Sequence, residues 1–230
     1  MAAFLSLTAG MVNIVGLLGL GVLTTNVTGH FAFFSEAMQK HDLNYAFNFL
    51  YFIISFLFGA FISNCLTEYW TLKDSRNAHH AAVFLELSLL LAMGVWGDRM
   101  ISRGLHKELL ACLLLFSMGS QNALVTKISQ ATVRTTHLTG LFTDLGIELS
   151  QLIFYKEKKQ TVQLKKSIGL RTGIILFFFL GCVAGGYLYS IFKLKTLLVA
   201  AVVLVIALIY DTARFIYLKR IKTIKREMLG

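Results

Sequence analysis

Polar side chains that could bind or react are concentrated in two short stretches of an otherwise apolar chain. The first is Thr24-Thr25-Asn26-Val27-Thr28-Gly29-His30-Phe31; the second is Arg134-Thr135-Thr136-His137-Leu138-Thr139-Gly140-Leu141-Phe142. They match in register: Thr25 with Thr136, Asn26 with His137, Thr28 with Thr139, Gly29 with Gly140. Each follows a long apolar segment. Thr and Asn cap helices well, so a helix beginning at Thr25 or Thr136 would leave backbone N–H groups pointing back along its axis. Such a start carries about half a positive charge. Two starts brought together near the membrane centre would suit an anionic or strongly polar group. The Thr28 and Thr139 hydroxyls could add hydrogen bonds, and Gly29 and Gly140 let a ligand or a backbone come close. Thr25, Asn26, Thr28, Gly29, Thr136, His137, Thr139 and Gly140 are therefore the candidate substrate-binding residues. A second reading stays open beside this one. Thr-Gly breaks can serve turning and packing alone, with the hydroxyls bonded to their own backbone. The surplus of polar side chains on both copies favours a ligand, because packing does not need it.

A further set, Asn13, His30, Glu86, Asn122, Asp144 and Glu148, could couple ions or sit as buried polar groups. Gly10-Met11-Val12-Asn13 is echoed by Gly119-Ser120-Gln121-Asn122, two residues out of step with the breaks. Glu86 is the one carboxylate deep within an apolar run. Such a residue faces the bundle interior and is functional, unless it is a neutral, hydrogen-bonded acid that fixes packing. Asp144 and Glu148, four apart, share one helical face, and either could partner His137 in proton coupling. His30 has no imidazole counterpart, since Leu141 stands there. The histidines do not pair at helical spacing, and Cys65, Cys112 and Cys182 form no CxxC motif. No metal site, cofactor or disulfide is expected. No nucleotide loop, GxSxG or HExxH occurs, so no enzyme activity is expected either.

The elements that must position these residues are membrane helices. The 230 residues are 56% hydrophobic and 15% charged, with mean hydropathy +0.68; soluble domains run at about 45–50% and 25%. Several runs approach the roughly 20 apolar residues that cross about 30 Å of hydrocarbon. Met1 to Leu23 has no Lys or Arg before its apolar core, so it is expected to stay as the first span rather than be cleaved. The net charge of +10 sits between and after the runs, as in cytoplasmic loops, and nucleic-acid binding is not expected.

The spans read as Phe4 to Leu23, Tyr45 to Cys65, Ala81 to Gly97, Glu108 to Val125, Leu170 to Phe192 and Thr196 to Tyr210. Amphipathic pieces at Phe31 to Lys40 and Leu141 to Tyr155 read as re-entrant or interfacial. The fold class is an all-α polytopic membrane protein of about six transmembrane helices in two three-helix repeats. The repeats cover residues 1–105 and 106–213, each with one extra short helix, and a basic cytoplasmic tail follows over 214–230. An odd number of crossings per repeat puts the copies in opposite orientation, the inverted-repeat plan of many secondary transporters. Phe58-Gly59-Ala60 with Ser63, and Leu180-Gly181-Cys182 with Gly185, place small residues at matching positions where helices can approach closely. Lys and Arg number 16 on one side and 6 on the other, which puts both termini in the cytoplasm. The same count holds if the amphipathic pieces also cross. With no proline in the chain, bends fall to glycine, Ser/Thr and the breaks.

The motifs resemble those of the YoaK-type bacterial membrane proteins, a family defined by a domain of unknown function. Gly10-Met11-Val12-Asn13 and Thr25-Asn26-Val27-Thr28-Gly29-His30 are similar to its first-half motifs. Met118-Gly119-Ser120-Gln121-Asn122-Ala123 and Arg134-Thr135-Thr136-His137-Leu138-Thr139-Gly140, continuing to Thr143-Asp144-Leu145-Gly146, are similar to its second-half motifs. The family usually has Asp where Asn13 stands and Asn where His30 stands, so an acid that carried protons in relatives is lacking here. The resemblance implies a small protein of the bacterial inner membrane with about six helices, and it supplies no substrate. The expected function is a small-solute transporter or exporter, with a non-transporting scaffold or lipid-binding protein as the alternative. The expected partners are the lipid bilayer and a small polar or anionic solute; a homo-oligomer is left open.

Overall fold

The computed structural model describes residues 1–73, 80–128, 137–155 and 157–227, and past 213 only Tyr217 has a described side chain. All described regular structure is helical: α1 (Ala2–Leu20), α2 (Val27–Gln39), α3 (Leu43–Lys73), α4 (His80–Ser102), α5 (Lys107–Ile128), α6 (Leu138–Phe154), α7 (Lys158–Phe192) and α8 (Thr196–Glu227). A 3-10 turn, Lys193–Lys195, joins α7 to α8. α1, α3, α4, Lys107–Lys127 of α5, and the continuous stretch Lys158–Ala213 are long and apolar enough to cross a membrane. α2, at 13 residues, rises only about 20 Å and falls short of the hydrocarbon thickness. α8 continues as helix to Glu227, past the place where the basic tail begins.

Helices of one half pack chiefly against the other half: α1 lies along α7, and α3 along α5. Both crossings rest on glycine. A Cβ on Gly10 would sit 2.1 Å from the Phe178 carbonyl oxygen, and one on Gly181 2.1 Å from that of Leu7. A Cβ on Gly119 would sit 2.0 Å from the Phe56 oxygen, and one on Gly59 2.0 Å from that of Phe116. Exchanging the halves converts the first pair of contacts into the second. The duplicated small residues are thus where backbones touch, which matters in lipid because close packing must do what hydrophobic burial cannot. A serine clasps each crossing: the Ser6 hydroxyl donates to the Ile174 carbonyl at 2.7 Å, and that of Ser63 to Ser120 at 2.9 Å.

The contacts also fix directions. Leu5 meets Gln121 while Gly16 meets Leu114, so α1 and α5 run antiparallel. Gly94 meets Leu198 and Gly97 meets Leu194, so α4 and α8 do the same. α1, α5, α4 and α8 form a closed ring in which each touches the next. Its interior holds Leu90, Leu114, Met118, Leu197 and Leu204, all fully buried or nearly so.

Gly119→Ala is expected to cost about 1–3 kcal/mol, lowering the unfolding midpoint by roughly 2–12 °C. Gly173, with nothing within 4 Å of a built Cβ, should accept alanine without loss. Thermal unfolding of the two detergent-solubilised variants checks the difference.

Candidate functional site

After α1 the chain doubles back into the bundle. Gly21 takes the left-handed conformation, φ 76°, that glycine adopts readily at helix ends. The amides of Gly21 and Val22 return to the carbonyls of Leu17 and Gly16 at 3.0 and 3.2 Å. Thr24, fully buried, lays its methyl over Gly16, where a Cβ would come within 2.5 Å. The Thr25 amide then donates to Asn13 Oδ1, two-thirds of the way along α1, at 3.2 Å. The start of the break is therefore tied to the middle of α1, while Asn26 and Thr28 stay exposed.

α2 starts at Val27 with Asn26 as its cap, the Asn26 Oδ1 accepting from the Gly29 amide at 3.0 Å. The expected start at Thr25 is corrected by two residues. Asn13 takes the Thr25 amide, and Asn26 is at least as good a cap as Thr. Gly29 is needed for the same reason, since a Cβ would lie 2.5 Å from Asn26 Nδ2. α6 repeats the arrangement. It starts at Leu138, not at Thr136, with His137 at the cap position, and a Cβ on Gly140 would lie 2.3 Å from His137 Cδ2. His137 makes no capping hydrogen bond. Thr136 lies outside the described residues, with Arg134 and Thr135.

Both helix starts open into one cavity of about 990 Å³. Asn13, Thr25, Asn26, Thr28 and Gly29 line it from the first half, and Asn122, His137 and Thr139 from the second. Its apolar walls come from Ile53, Phe56, Leu57, Leu138 and Phe178. Gly140, under the His137 ring, does not line it. Among the described residues no Asp, Glu, Lys or Arg does either. Sequence reading missed the walls; only Ala60, in the matched small-residue stretch, carried a signal.

The remaining candidates fall elsewhere. His30 is buried, its Nε2–H donates to the Leu23 carbonyl at 2.8 Å, and its ring lies against Phe49 and Phe52 with centroids 6.0 and 5.4 Å away. It pins the returning loop to α2 and α3. Asp144 and Glu148 share a face of α6 as expected, but their partner is Arg171 of α7, not His137. Arg171 Nη1 meets Asp144 at 2.7 Å and its Nε meets both Glu148 oxygens at 3.1 Å. The Ser167 hydroxyl donates to Glu148 at 2.6 Å. Arg171 and Glu148 side chains are 11% and 14% exposed, Asp144 49%. The matching place in the first half is aromatic, with Phe33 stacked on Phe49 at 5.3 Å. Glu86 lies outside the cavity, fully buried on the stripe of α4 that carries Val83, Leu90 and Met93. Among the described residues no three His, Cys, Asp or Glu side chains are placed to hold a metal ion.

Residues 1–210 match the family described as "Protein of unknown function (DUF1275)". The chain is similar to the UPF0700 transmembrane protein YoaK of Bacillus subtilis (strain 168), 30% identical over 176 residues, covering 76% of this chain and 77% of the relative. No solved structure matches it.

Arg171→Met should leave the largely buried Glu148 unpaired and cost about 3 kcal/mol; the exposed Asp144 adds little. Adding Glu148→Gln to that variant should recover most of the loss. Denaturant unfolding of both, in one detergent, measures the two steps.

Proposed function

The chain belongs to the DUF1275 family of membrane proteins, and for this member we propose transport of a small polar or anionic solute through the cavity between the two helix starts. One observation carries the reading: two duplicated breaks, far apart in sequence, open into the same cavity. Thr25, Asn26, Thr28, Asn13, Asn122, His137 and Thr139 line it, and no fixed charge does among the described residues. A helix start favours an anion by typically 0.3–1 kcal/mol, and a hydrogen bond to a charged group adds about 1.5–3 kcal/mol. That is enough to replace part of a hydration shell without holding the solute fast, which a transporter requires. Ile53, Phe56, Leu57 and Phe178 would accept an apolar portion of the solute.

In this reading the two halves form an inverted repeat with six crossings, α2 and α6 being half-helices that begin at the site. The antiparallel course of α1 against α5 and of α4 against α8 supports it, as do the reciprocal glycine crossings. Both termini are then cytoplasmic, the side richer in Lys and Arg, and the membrane is the bacterial inner membrane. A lipid-binding role has one observation of its own. An apolar groove of about 490 Å³ between α4 and α8, lined by Phe84, Leu87, Val205, Leu208 and Ile209, has the character of an acyl-chain slot.

The test is solute flux into proteoliposomes over a panel of inorganic anions, organic acids, amino acids and sugars. Thr28→Val and Thr139→Val are each expected to lower uptake of the active solute about tenfold or more, with Gly173→Ala unchanged. Equal flux in all variants across the panel would sink the proposal. The active solute should also raise thermal stability, by about 2.7 kcal/mol at a hundred times its Kd.

A further inference from the structure

We propose that Glu86 of α4, Ser117 and Gln121 of α5 and Thr8 of α1 form a buried site for one hard monovalent cation of sodium's kind. All four side chains are fully buried. Among the described residues, both Glu86 carboxylate oxygens, Thr8 Oγ1, Ser117 Oγ and Gln121 Oε1 have no hydrogen-bond partner. Gln121 Nε2 is committed, donating to the Leu5 carbonyl at 3.0 Å, which leaves its oxygen as an acceptor. Such orphaned oxygens are costly in a bundle interior and call for an explanation.

The contacts place them at one level of the four-helix ring. Gly97 meets Leu194 and Gly94 meets Leu198, so Glu86, about two turns back along antiparallel α4, lies level with Ile206 of α8. Phe4 meets Tyr210, with ring centroids 5.9 Å apart, and Gly19 meets Leu194. Thr8 therefore lies level with Ile206 as well. Thr8 is one turn beyond Leu5, and Leu5 is held by Gln121; Ser117 is one turn before Gln121 on the same face of α5. α1, α4 and α5 thus bring one carboxylate and three neutral oxygen-bearing side chains to one height, with α8 closing the ring beside them.

Charge and oxygen count select the ligand. Among the described residues, the elements around Glu86 offer no cation at that level. α1 has no charged residue, α5 carries Lys107, Glu108 and Lys127 only at its ends, and α4 carries His80, Asp98 and Arg99 only at its ends. The charges of α8 begin at Asp211, and on α3 Glu68 is paired with Lys127 while Lys73 ends the helix. A single negative charge is balanced by a monovalent ion and left in excess by a divalent one. A proton would neutralise Glu86 and pair its carboxyl with one neighbouring oxygen. A coordinated ion satisfies the oxygens together, and an all-oxygen set suits a hard cation. Asn13 follows Thr8 along α1, and Asn122 is next to Gln121, so an ion holding α1 to α5 would also set the spacing of two cavity-lining residues.

The experiment compares thermal unfolding of the purified full chain in sodium chloride and in choline chloride at equal ionic strength. Wild type should show a saturable rise in unfolding midpoint with sodium. Glu86→Gln, checked as monodisperse and helical, should lose that rise, and Ser117→Ala should need roughly tenfold more sodium to reach it. Thr139→Val should keep it, so failure of the solute reading is distinguishable from failure of this one. The proposal is overturned if sodium and choline give the same wild-type midpoint, or if Glu86→Gln responds to sodium as wild type does. A response to pH alone that Glu86→Gln abolishes would overturn it too, by making the bound cation a proton. Should Glu86→Gln fail to fold, Thr8→Val with Ser117→Ala takes its place, with the same expected and overturning results.

Discussion

A helix can be interrupted inside hydrocarbon only where protein or enclosed water takes over the backbone amides it releases. Much of this molecule meets that demand at its first break. Asn13 takes the Thr25 amide, Asn26 takes that of Gly29, and His30 donates to the Leu23 carbonyl. Each of these side chains is polar for a local reason. Tight packing does the rest, because a break tied to the middle of α1 must be walled from lipid. The glycine crossings of α1 on α7 and of α3 on α5 bring those walls to backbone contact. The cavity is the cleft where two such breaks meet beside one set of apolar walls.

The halves differ in how α2 and α6 are fastened. α2 is held to α3 by rings: Phe33 on Phe49, with His30 beside Phe49 and Phe52. α6 is held to α7 by charge, through Arg171 and the two carboxylates. Aromatic packing loses contact steeply with separation and is indifferent to salt. A partly exposed ion cluster can exchange its partners for water and weakens as ionic strength rises. α2 and α6 therefore differ in the energy and in the solvent conditions that release them.

What could be read from the sequence was whatever is encoded locally or by repetition. The matched breaks, the small residues at Gly59 and Gly181, and the shared face of Asp144 and Glu148 all came from spacing. What escaped depends on partners far along the chain. The cap falls on Asn26 because Asn13 has claimed Thr25, a contact no local pattern announces. Arg171 reads as a charge at the start of the Leu170 to Phe192 span until α7 folds back on α6, where it pairs with Asp144 and Glu148. The cavity walls were illegible because Phe56 and Phe178 look like any apolar residue of a span. His30 was read from its type as a coupling or buried polar residue; the rings of Phe49 and Phe52 around it, which no spacing announces, make it a clasp.

The crossings between halves also bear on biosynthesis. The companion of α1 is α7, made only after α2 to α6, and the Ser6 hydroxyl donates to the carbonyl of Ile174. The nascent chain must park its opening segment in the lipid, small and hydroxyl-bearing residues exposed, while five further helices are made. Insertion and assembly are thereby separated in time, and the amino-terminal portion is not an autonomous folding unit.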